Sequence, residues 1–233
     1  MAGSARSGDV WTRSQGGRRP KLTREAIVKA AIKVADAEGL DAVSIRRIAS
    51  ELGVRAMSLY THIDAKEDLL DLMYDEIAEE VLIKGELPDD WREAIFQIAH
   101  KEREAGLRHP WTFELAHRSP RVGPNGLRHA EQSLAAAALL TDDPESMLAI
   151  VTTVDHYMLG YTVREQHISE IGENGLERAH TSLLERQYVR SLLDSGEFPH
   201  LKPVFESGLY GRAHFEQGLK WLLDGIERDH AEK

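Results

Sequence analysis

The sequence predicts an all-α protein in which a small N-terminal three-helix unit is joined to a larger helical body. Three observations support this prediction. Apolar residues recur with helical spacing from Thr23 onward, and no stretch alternates convincingly between apolar and polar residues as a strand would. Two short helical patterns meet at Gly53. The charge of the chain is divided unequally between its two ends.

The charge division favours a polyanion-binding N-terminal end. The net charge is −10. Residues 1–66 hold 12 basic and 7 acidic residues, a balance of +5, whereas the remainder holds 17 basic and 32 acidic residues, a balance of −15. Cysteine is absent, which excludes disulfides and thiolate metal sites. No apolar run approaches the roughly 20 residues of a membrane span, and we expect a cytoplasmic protein.

We expect three segments along the chain: a flexible basic arm over 1–19, a helix-turn-helix unit over 20–66 and a helical body over 67–233. The arm is rich in Gly, Ser and Arg and has no apolar period. The first helix begins after Thr23, a suitable cap, and Gly39 ends it in a left-handed conformation. Its predicted buried face consists of Ile27, Ala30, Ala31, Val34 and Ala35.

Further helices follow from capping residues and apolar spacing. Ser44 is placed to cap a second, short helix, and a third is predicted at about 56–62. Asp64 and Glu67 form a predicted capping box that opens a fourth helix. The predicted buried face of that helix consists of Leu69, Met73, Ile77 and Val81. The next helix starts at Asp89-Asp90 and carries Trp91, Ile95 and Ile98 on one face.

The remaining segments are predicted from turn residues and narrow apolar seams. We expect a turn at 123–126, a loop at 171–180 and a proline-bracketed connector at 199–203. Two late helices carry apolar residues alternately four and three positions apart, over 147–161 and 215–226. Two such seams from each of two subunits would form a four-helix dimer interface. The alternative is that the seams pack inside one subunit.

Residues 44–62 carry the motif with a function. The small Ala49 lies four residues before Gly53, where two short helices must approach closely. This arrangement is typical of a helix-turn-helix, whose second helix enters the major groove of DNA. The predicted exposed side chains of that helix are Arg55, Met57, Ser58, Thr61 and His62. Ser44, at a helix N-terminus, can bind a phosphate. The alternative is a helical corner used for packing alone.

The stretch from Lys21 to Met73 resembles the DNA-binding domain of TetR-family transcriptional regulators. The Leu-Tyr-x-His segment at 59–62, followed by Lys66 and a Leu-Leu pair, carries this resemblance. The body resembles the tetracycline-repressor type of C-terminal domain through His109-Pro110-Trp111, Gly123-Pro124-Asn125 and a Gly-Leu-x-x-Leu-Leu-x-Gly segment at 218–225. The resemblance implies a homodimeric repressor that a small molecule releases from a palindromic operator.

The resemblance also implies roles for individual residues. Base edges would be contacted by Arg46, Arg55, Ala56, Met57, Ser58 and Thr61. The phosphate backbone would be held by Ser44, Tyr60, His62 and Lys66. Arg18 and Arg19 would belong to an arm directed toward the minor groove. An activator or an effector-independent architectural DNA binder is an alternative within the same class.

The body is expected to bind the effector. Polar residues on otherwise apolar helical faces are the candidate ligand contacts: Gln97, His100, His117, Gln132, Thr153 and Tyr157. His117 falls near the position of a magnesium-binding histidine in tetracycline-responsive members. Ile98 replaces the asparagine of tetracycline binders, so tetracycline is not the expected effector.

Catalysis and metal binding are not expected, and we expect no cofactor. No histidine pair with a nearby carboxylate forms a recognisable metal site, and no phosphate loop or nucleophile elbow is present. We attribute Glu102, Glu104 and Asp155, which lie near histidines in the sequence, to charged helix faces. The alternative from another class is a helical small-molecule-binding protein or enzyme without DNA binding.

Overall fold

The computed structural model describes residues 22–118, 123–207 and 214–231, and the regular structure in these ranges is entirely helical. The helices are α1 Arg24–Glu38, α2 Ile45–Glu51, α3 Ala56–Leu59, α4 Lys66–Val81, α5 Trp91–Arg108, α6 Trp111–Arg118, α7 Pro124–Ala138, α8 Pro144–Ile171, α9 Glu173–Glu185, α10 Gln187–Asp194, α11 Leu201–Glu206 and α12 Phe215–Ala231. A short 3-10 turn, Leu40–Ala42, links α1 to α2. The predicted all-α class is confirmed. None of these helices is long and apolar enough to cross a membrane.

The predicted caps of α1 and α2 are confirmed. Thr23 Oγ1 accepts a hydrogen bond from Ala26 N at 3.1 Å, and Ser44 Oγ accepts one from Arg47 N at 3.2 Å. Gly39 ends α1 with a φ of 83°, as a glycine at a helix end permits. Its ψ of 167° is that of an extended backbone, so Gly39 has the positive φ but not the ψ of the predicted left-handed conformation. The chain therefore leaves α1 in an extended direction toward the 3-10 turn.

The structure corrects two predicted helix boundaries. α3 ends at Leu59, three residues before its predicted end, and continues to Ile63 as a hydrogen-bonded turn. α4 begins at Lys66 with Ala65 at its N-cap and no side-chain cap there. The capping box predicted with Asp64 as the cap is wrong, because Ala65 is the residue that adopts the extended backbone of an N-cap, with φ −141° and ψ 162°.

One hydrophobic core joins the N-terminal unit to α4 and α6. The predicted buried faces of α1 and α4 are confirmed, since every residue in them is at most 9% exposed. Trp111 and Leu115 bring α6 into the same core, at 2% and 0% exposure. The largest fully buried side chains of this core are Ile27, Ile48, Leu59, Ile63, Leu69, Leu70, Met73 and Leu115. α4 therefore connects the helix-turn-helix unit to the body by packing against both.

A buried carboxylate pins α4 to α7. Asp75 Oδ1 accepts hydrogen bonds from the backbone N–H groups of Asn125 and Gly126, both at 2.9 Å. The predicted turn at 123–126 is wrong, because Pro124 is the first residue of α7 and Asp75 caps that helix from another element. Burial raises the pKa of Asp75, although the hydrogen bonds from Gly126 and Asn125 oppose the shift.

We expect Asp75→Ala to lower the free energy of unfolding by about 2 kcal/mol, because it leaves two amide groups at the start of α7 without their acceptor. Asp75→Asn, which keeps one acceptor oxygen, should lose about half as much. Chemical denaturation followed by circular dichroism measures both variants. Glu79→Ala, an exposed site on the same helix, is the control and should change little. Equal stability of Asp75→Ala and the control would contradict the pinning role.

A second core lies between α5, α8 and α12. Val154 and Met158 from α8 meet Phe215 and Leu219 from α12, together with Trp91 from α5. All five side chains are at most 6% exposed within one chain. The seam residues among them therefore pack inside their own subunit, as the alternative interpretation holds. The reason is that α5 covers these faces, which the spacing of the seams could not reveal.

The segments predicted as irregular after α8 are mostly helical. α8 runs to Ile171, Gly172 interrupts the helical backbone with a φ of 73°, and α9 starts at the next residue. The predicted loop at 171–180 is therefore wrong. The predicted connector at 199–203 is partly wrong, because α11 begins at Leu201. Pro203 lies in its first turn, where a missing N–H costs nothing.

Candidate nucleic-acid interface and internal cavity

The turn between α2 and α3 requires a glycine. Gly53 has a φ of 65°, a conformation that side chains with a Cβ rarely adopt. Gly53 N donates to Ser50 O at 3.2 Å, and Val54 N donates to Ala49 O at 2.9 Å, the two bonds of a Schellman helix end. The turn redirects the chain so that Leu59, fully buried, holds α3 against α2. These contacts form a helix-turn-helix with α3 as its second helix.

The outer face of this motif is exposed and includes a large apolar side chain. Met57 is 73% exposed and Tyr60 is 46% exposed. Arg55 and Thr61 are also exposed, and Thr61 Oγ1 donates to Ser58 O at 2.7 Å. An exposed methionine next to basic and hydroxyl groups is typical of a contact surface, because exposure of apolar area to water is unfavourable and a partner would cover it.

The structure separates two adjacent arginines. Arg47 contacts Glu38 at 2.6 Å and Glu51 at 3.0 Å, which ties α2 to the end of α1. The hydrogen bond from Arg47 lowers the pKa of Glu38. Arg46 is exposed and makes no such pair within the described ranges. Of the two, Arg46 is therefore the cation available to an external anion.

The other sequence-predicted nucleic-acid residues lie on or next to the same face. Ser44 uses its oxygen in the α2 cap and is exposed. Half-buried positions are occupied by Ala56, Ser58, His62 and Lys66. The predicted exposure of Ser58 and His62 is therefore wrong, because both side chains are partly covered where α3 and the turn after it pack against the unit. Arg18 and Arg19 lie outside the described residues.

A cavity of about 560 Å³ lies between α4, α5, α6, α7 and α8. Its size is within the range of small-molecule sites, and most of its wall is apolar. The apolar and small lining residues are Ile77, Ala78, Val81, Ala105, Gly106, Phe113, Gly126, Leu127, Ala130, Met158 and Leu159. The remaining lining residues are Tyr74, Glu102, Thr112, His129, Asp155, His156 and Thr162.

Three of the polar residues meet at one part of the wall. His129 Nε2 lies 2.7 Å from Glu102 Oε1. Burial alone would lower the pKa of His129, but the hydrogen bond and charge of Glu102, with the charge of Asp155, raise it overall. Burial and the Glu102 charge raise the pKa of Asp155 to about 7 against the opposing charge of His129. Glu102 is half-buried and pairs with His129, which the attribution to a charged helix face did not anticipate, whereas Asp155 is exposed on α8 as that attribution expects.

The cavity does not include the described side chains proposed as ligand contacts from the sequence. Tyr157 donates to Phe215 O at 2.7 Å, and Gln132 binds both the N–H and the carbonyl of Ile83 at 3.0 and 2.9 Å. Gln97 donates to Glu93 Oε1, and His100 lies 3.1 Å from a Glu216 carboxylate oxygen.

The last two candidates are Thr153 and His117. Thr153 is exposed, and its hydroxyl donates to Ala149 O at 2.6 Å. The side chain of His117 lies outside the described part of the chain.

Glu102, His129 and Asp155 were not predicted as cavity residues. They lie on three separate helices, so only the fold brings them together.

A hydrogen-bonded bridge connects the cavity wall to the helix-turn-helix unit. Asp36 Oδ1, on α1, accepts a hydrogen bond from Trp111 Nε1 at 2.7 Å. The same oxygen lies 2.7 Å from His109 Nδ1. Both partners belong to the α5–α6 junction, which also carries Gly106 and Phe113 on the cavity wall. Besides the packing of α1 against α4 and α6, Asp36 therefore links α1 to the α5–α6 junction by hydrogen bonds, and we call this contact the Asp36 bridge.

A helix-turn-helix with an exposed outer face, carried by a helical body with an internal cavity, defines the class of helix-turn-helix transcriptional regulators with a separate sensing domain. Comparisons with known proteins agree with this class. Residues 27–73 match the family model for bacterial regulatory proteins of the tetR family, and residues 84–229 match that for the tetracyclin repressor-like C-terminal domain.

Individual relatives and solved structures match along nearly the whole chain. The HTH-type transcriptional repressor DrrR1 of Streptomyces coeruleorubidus is 34% identical over 225 residues, which is 94% of this chain and 82% of the relative. An HTH-type transcriptional regulator of Saccharopolyspora erythraea is 33% identical over 94% of this chain and 91% of its own. The structure of ActR from Streptomyces coelicolor in complex with actinorhodin is 25% identical, with a TM-score of 0.73, over 90% of this chain and 98% of that one.

The chain belongs to the TetR family, and it is a DNA-binding transcriptional regulator with a tetracycline-repressor-type C-terminal domain.

Proposed function

We propose that the protein is a homodimeric repressor that binds a palindromic operator and is released when a small molecule occupies the cavity between α4 and α8. The Asp36 bridge carries this proposal, because it links the cavity wall to the helix-turn-helix unit. The relative DrrR1 is named a transcriptional repressor, which supports repression as the mode of regulation. The complex of ActR with actinorhodin supports a small molecule as the signal.

The DNA contacts that we propose follow the exposed face of the helix-turn-helix. Base edges are contacted by Arg46, Arg55, Ala56, Met57, Ser58 and Thr61. Phosphates are held by Ser44, Tyr60, His62 and Lys66, and Arg18 and Arg19 belong to an arm that approaches the minor groove. The exposure of Arg46, Arg55 and Met57 supports the base-contacting role, because these side chains have no packing role in their own chain.

The dimer that we propose uses the outward faces of α8 and α12. Their inward faces are occupied by the second core, but Trp221 on α12 remains 68% exposed. On α8, Leu148 and Val163 are 58% and 43% exposed. A tryptophan of this exposure is typical of an interface. Two such helices from each subunit form a four-helix bundle, and the α3 helices then lie about 34 Å apart on one face of DNA.

Selection from random duplex DNA, followed by sequencing of the retained molecules, tests the proposed function. A palindrome with half-sites about one helical turn apart is the expected result. Affinity for it should fall steeply with added salt, because phosphate contacts release counterions. Absence of enrichment from folded, dimeric protein would contradict operator recognition. A monomer that binds single half-sites would contradict the dimer alone.

We expect Arg46→Ala and Lys66→Ala to weaken DNA binding in different ways. Arg46→Ala should cost about 1–3 kcal/mol on the selected operator and relax the preference at one base pair, because a bidentate arginine contact discriminates between bases. Lys66→Ala should weaken all sequences about equally and reduce the salt slope by about one. Fluorescence anisotropy on single-base operator variants at several salt concentrations measures both effects.

Arg47→Ala is the control for this pair of variants. Because Arg47 is held by Glu38 and Glu51, its loss should lower stability without a change in base preference. Identical profiles for Arg46→Ala and Lys66→Ala would contradict the division between base and phosphate contacts.

A further inference from the structure

The cavity carries a carboxylate, that of Asp155, without a lysine or arginine partner in the described ranges. No lysine or arginine is among its described lining residues. The nearby arginines are engaged elsewhere, since Arg103 pairs with Glu165 and Arg128 donates to Asn125 Oδ1 at 2.5 Å. His129 is held by Glu102. Asp155 therefore faces the cavity with no hydrogen bond or salt bridge in the described ranges.

This arrangement is unfavourable for the empty protein. Asp155 remains accessible to solvent on the cavity wall, but partial burial by the surrounding protein weakens its hydration, and the neighbouring Glu102 charge adds repulsion. These two effects raise the pKa of Asp155 to about 7. A positive charge supplied from outside would offset both penalties, whereas a negative charge would increase the repulsion.

We propose that the effector is an apolar ring compound bearing a basic amine, whose ammonium group binds Asp155 while its rings pack against Ile77, Leu127 and Met158. This inference rests on the proposed function only in taking the cavity as the effector site. The ammonium donates to the Asp155 carboxylate, and the apolar wall removes the ring from water. An anionic compound of the same shape is excluded by Asp155 and Glu102 together.

Binding of such an amine depends on pH in a defined direction. The titratable groups that line the cavity with Asp155 are Glu102 on α5, His129 on α7, Tyr74 on α4 and His156 on α8. As the pH falls below about 7, Asp155 takes up a proton and loses its attraction for the ammonium group. Protonation of His129 adds positive charge and acts in the same direction. The affinity should fall by up to about tenfold per pH unit below 7.

Three anthracene probes of similar shape test the proposal in the full-length protein. They are 9-(aminomethyl)anthracene, 9-anthracenemethanol and anthracene-9-carboxylate, and binding is measured from their fluorescence. At pH 8 we expect the amine to bind about ten- to hundredfold more tightly than the alcohol, and the carboxylate to bind most weakly. Equal affinity of the amine and the alcohol, or no binding of any probe, would overturn the proposal.

Variants locate the contact. Asp155→Asn should remove the preference for the amine and its pH dependence while the alcohol still binds, whereas Glu145→Gln, at an exposed site on the same helix, should change neither. Ala130→Trp, at an accessible position of the wall, should weaken all three probes. Retention of the amine preference in Asp155→Asn, or of all binding in Ala130→Trp, would overturn the proposal.

The operator titration separates this proposal from the proposed function. Probe fluorescence reports the cavity without DNA, and operator affinity is measured without a probe. Loss of operator binding with the amine preference intact would contradict only the repressor function. Normal operator binding without an amine preference would contradict only the effector class.

Discussion

Replacing Leu59 with alanine is expected to lower the free energy of unfolding by about 3 kcal/mol and to abolish operator binding. Leu59 is fully buried in the core shared by α1–α4, where it holds α3 in place after the Gly53 turn. Its truncation leaves a cavity that the short α3 cannot close without moving. Chemical denaturation measures the stability, and fluorescence anisotropy on the selected operator measures the affinity.

Met57→Ala is the matched control, since Met57 belongs to the same short helix but is 73% exposed. Its stability should remain within about 0.5 kcal/mol of the parent protein. Its operator affinity should nevertheless fall by about fivefold, because an apolar contact with DNA is lost. Equal stability losses in the two variants would contradict the assignment of one side chain to the core and the other to the interface.

Asp36→Ala is expected to uncouple the cavity from the operator. Allosteric coupling in such systems changes affinity by about 5- to 150-fold, and we expect this variant to retain less than about a tenth of the parent ratio. The reason is that Asp36 accepts hydrogen bonds from the α5–α6 junction through Trp111 and His109. Operator titrations with and without the amine probe measure the ratio.

The uncoupled variant should still bind both ligands separately. Asp36 does not line the cavity, so affinity for the probe without DNA should stay within about twofold of the parent. Trp111→Phe keeps the ring in the core and removes only the donor, and it should reduce the coupling in the same direction. Asp41→Ala, at an exposed neighbouring site, should leave the coupling unchanged. Full coupling in both bridge variants would contradict the role of the Asp36 bridge.

Local features of the helix-turn-helix unit were predictable because they depend on residues close in sequence. The caps at Thr23 and Ser44 are formed with residues three positions away. The capping box predicted at Asp64 is wrong, because the extended backbone of the N-cap lies one residue later, at Ala65. Sequence spacing alone does not fix such a one-residue shift. Periodicity predicted the buried faces of α1 and α4, but it could not distinguish a partner in another subunit from α5 in the same chain.

The candidate cavity was less predictable than the DNA-binding face. The exposed residues of α3 follow from one helix and one turn, whereas Glu102, His129 and Asp155 lie on three helices that meet only in the fold. Gln132 and Tyr157 were chosen as polar residues on apolar faces, a property that equally describes side chains bound to backbone groups. A polar side chain in a helix does not itself reveal whether its partner is a ligand or a carbonyl.

The sequence by itself determined the helical class, the helix-turn-helix with its glycine turn, and the family, because these depend on short-range spacing. Tertiary structure alone decided that Arg47 is bound while Arg46 is available, and that Asp75 caps a helix 50 residues away. It also decided that Asp155 faces a cavity whose described lining includes no lysine or arginine. The physical reason is that hydrogen bonding, desolvation and charge repulsion depend on distances between atoms. Those distances are set only when helices distant in sequence pack together.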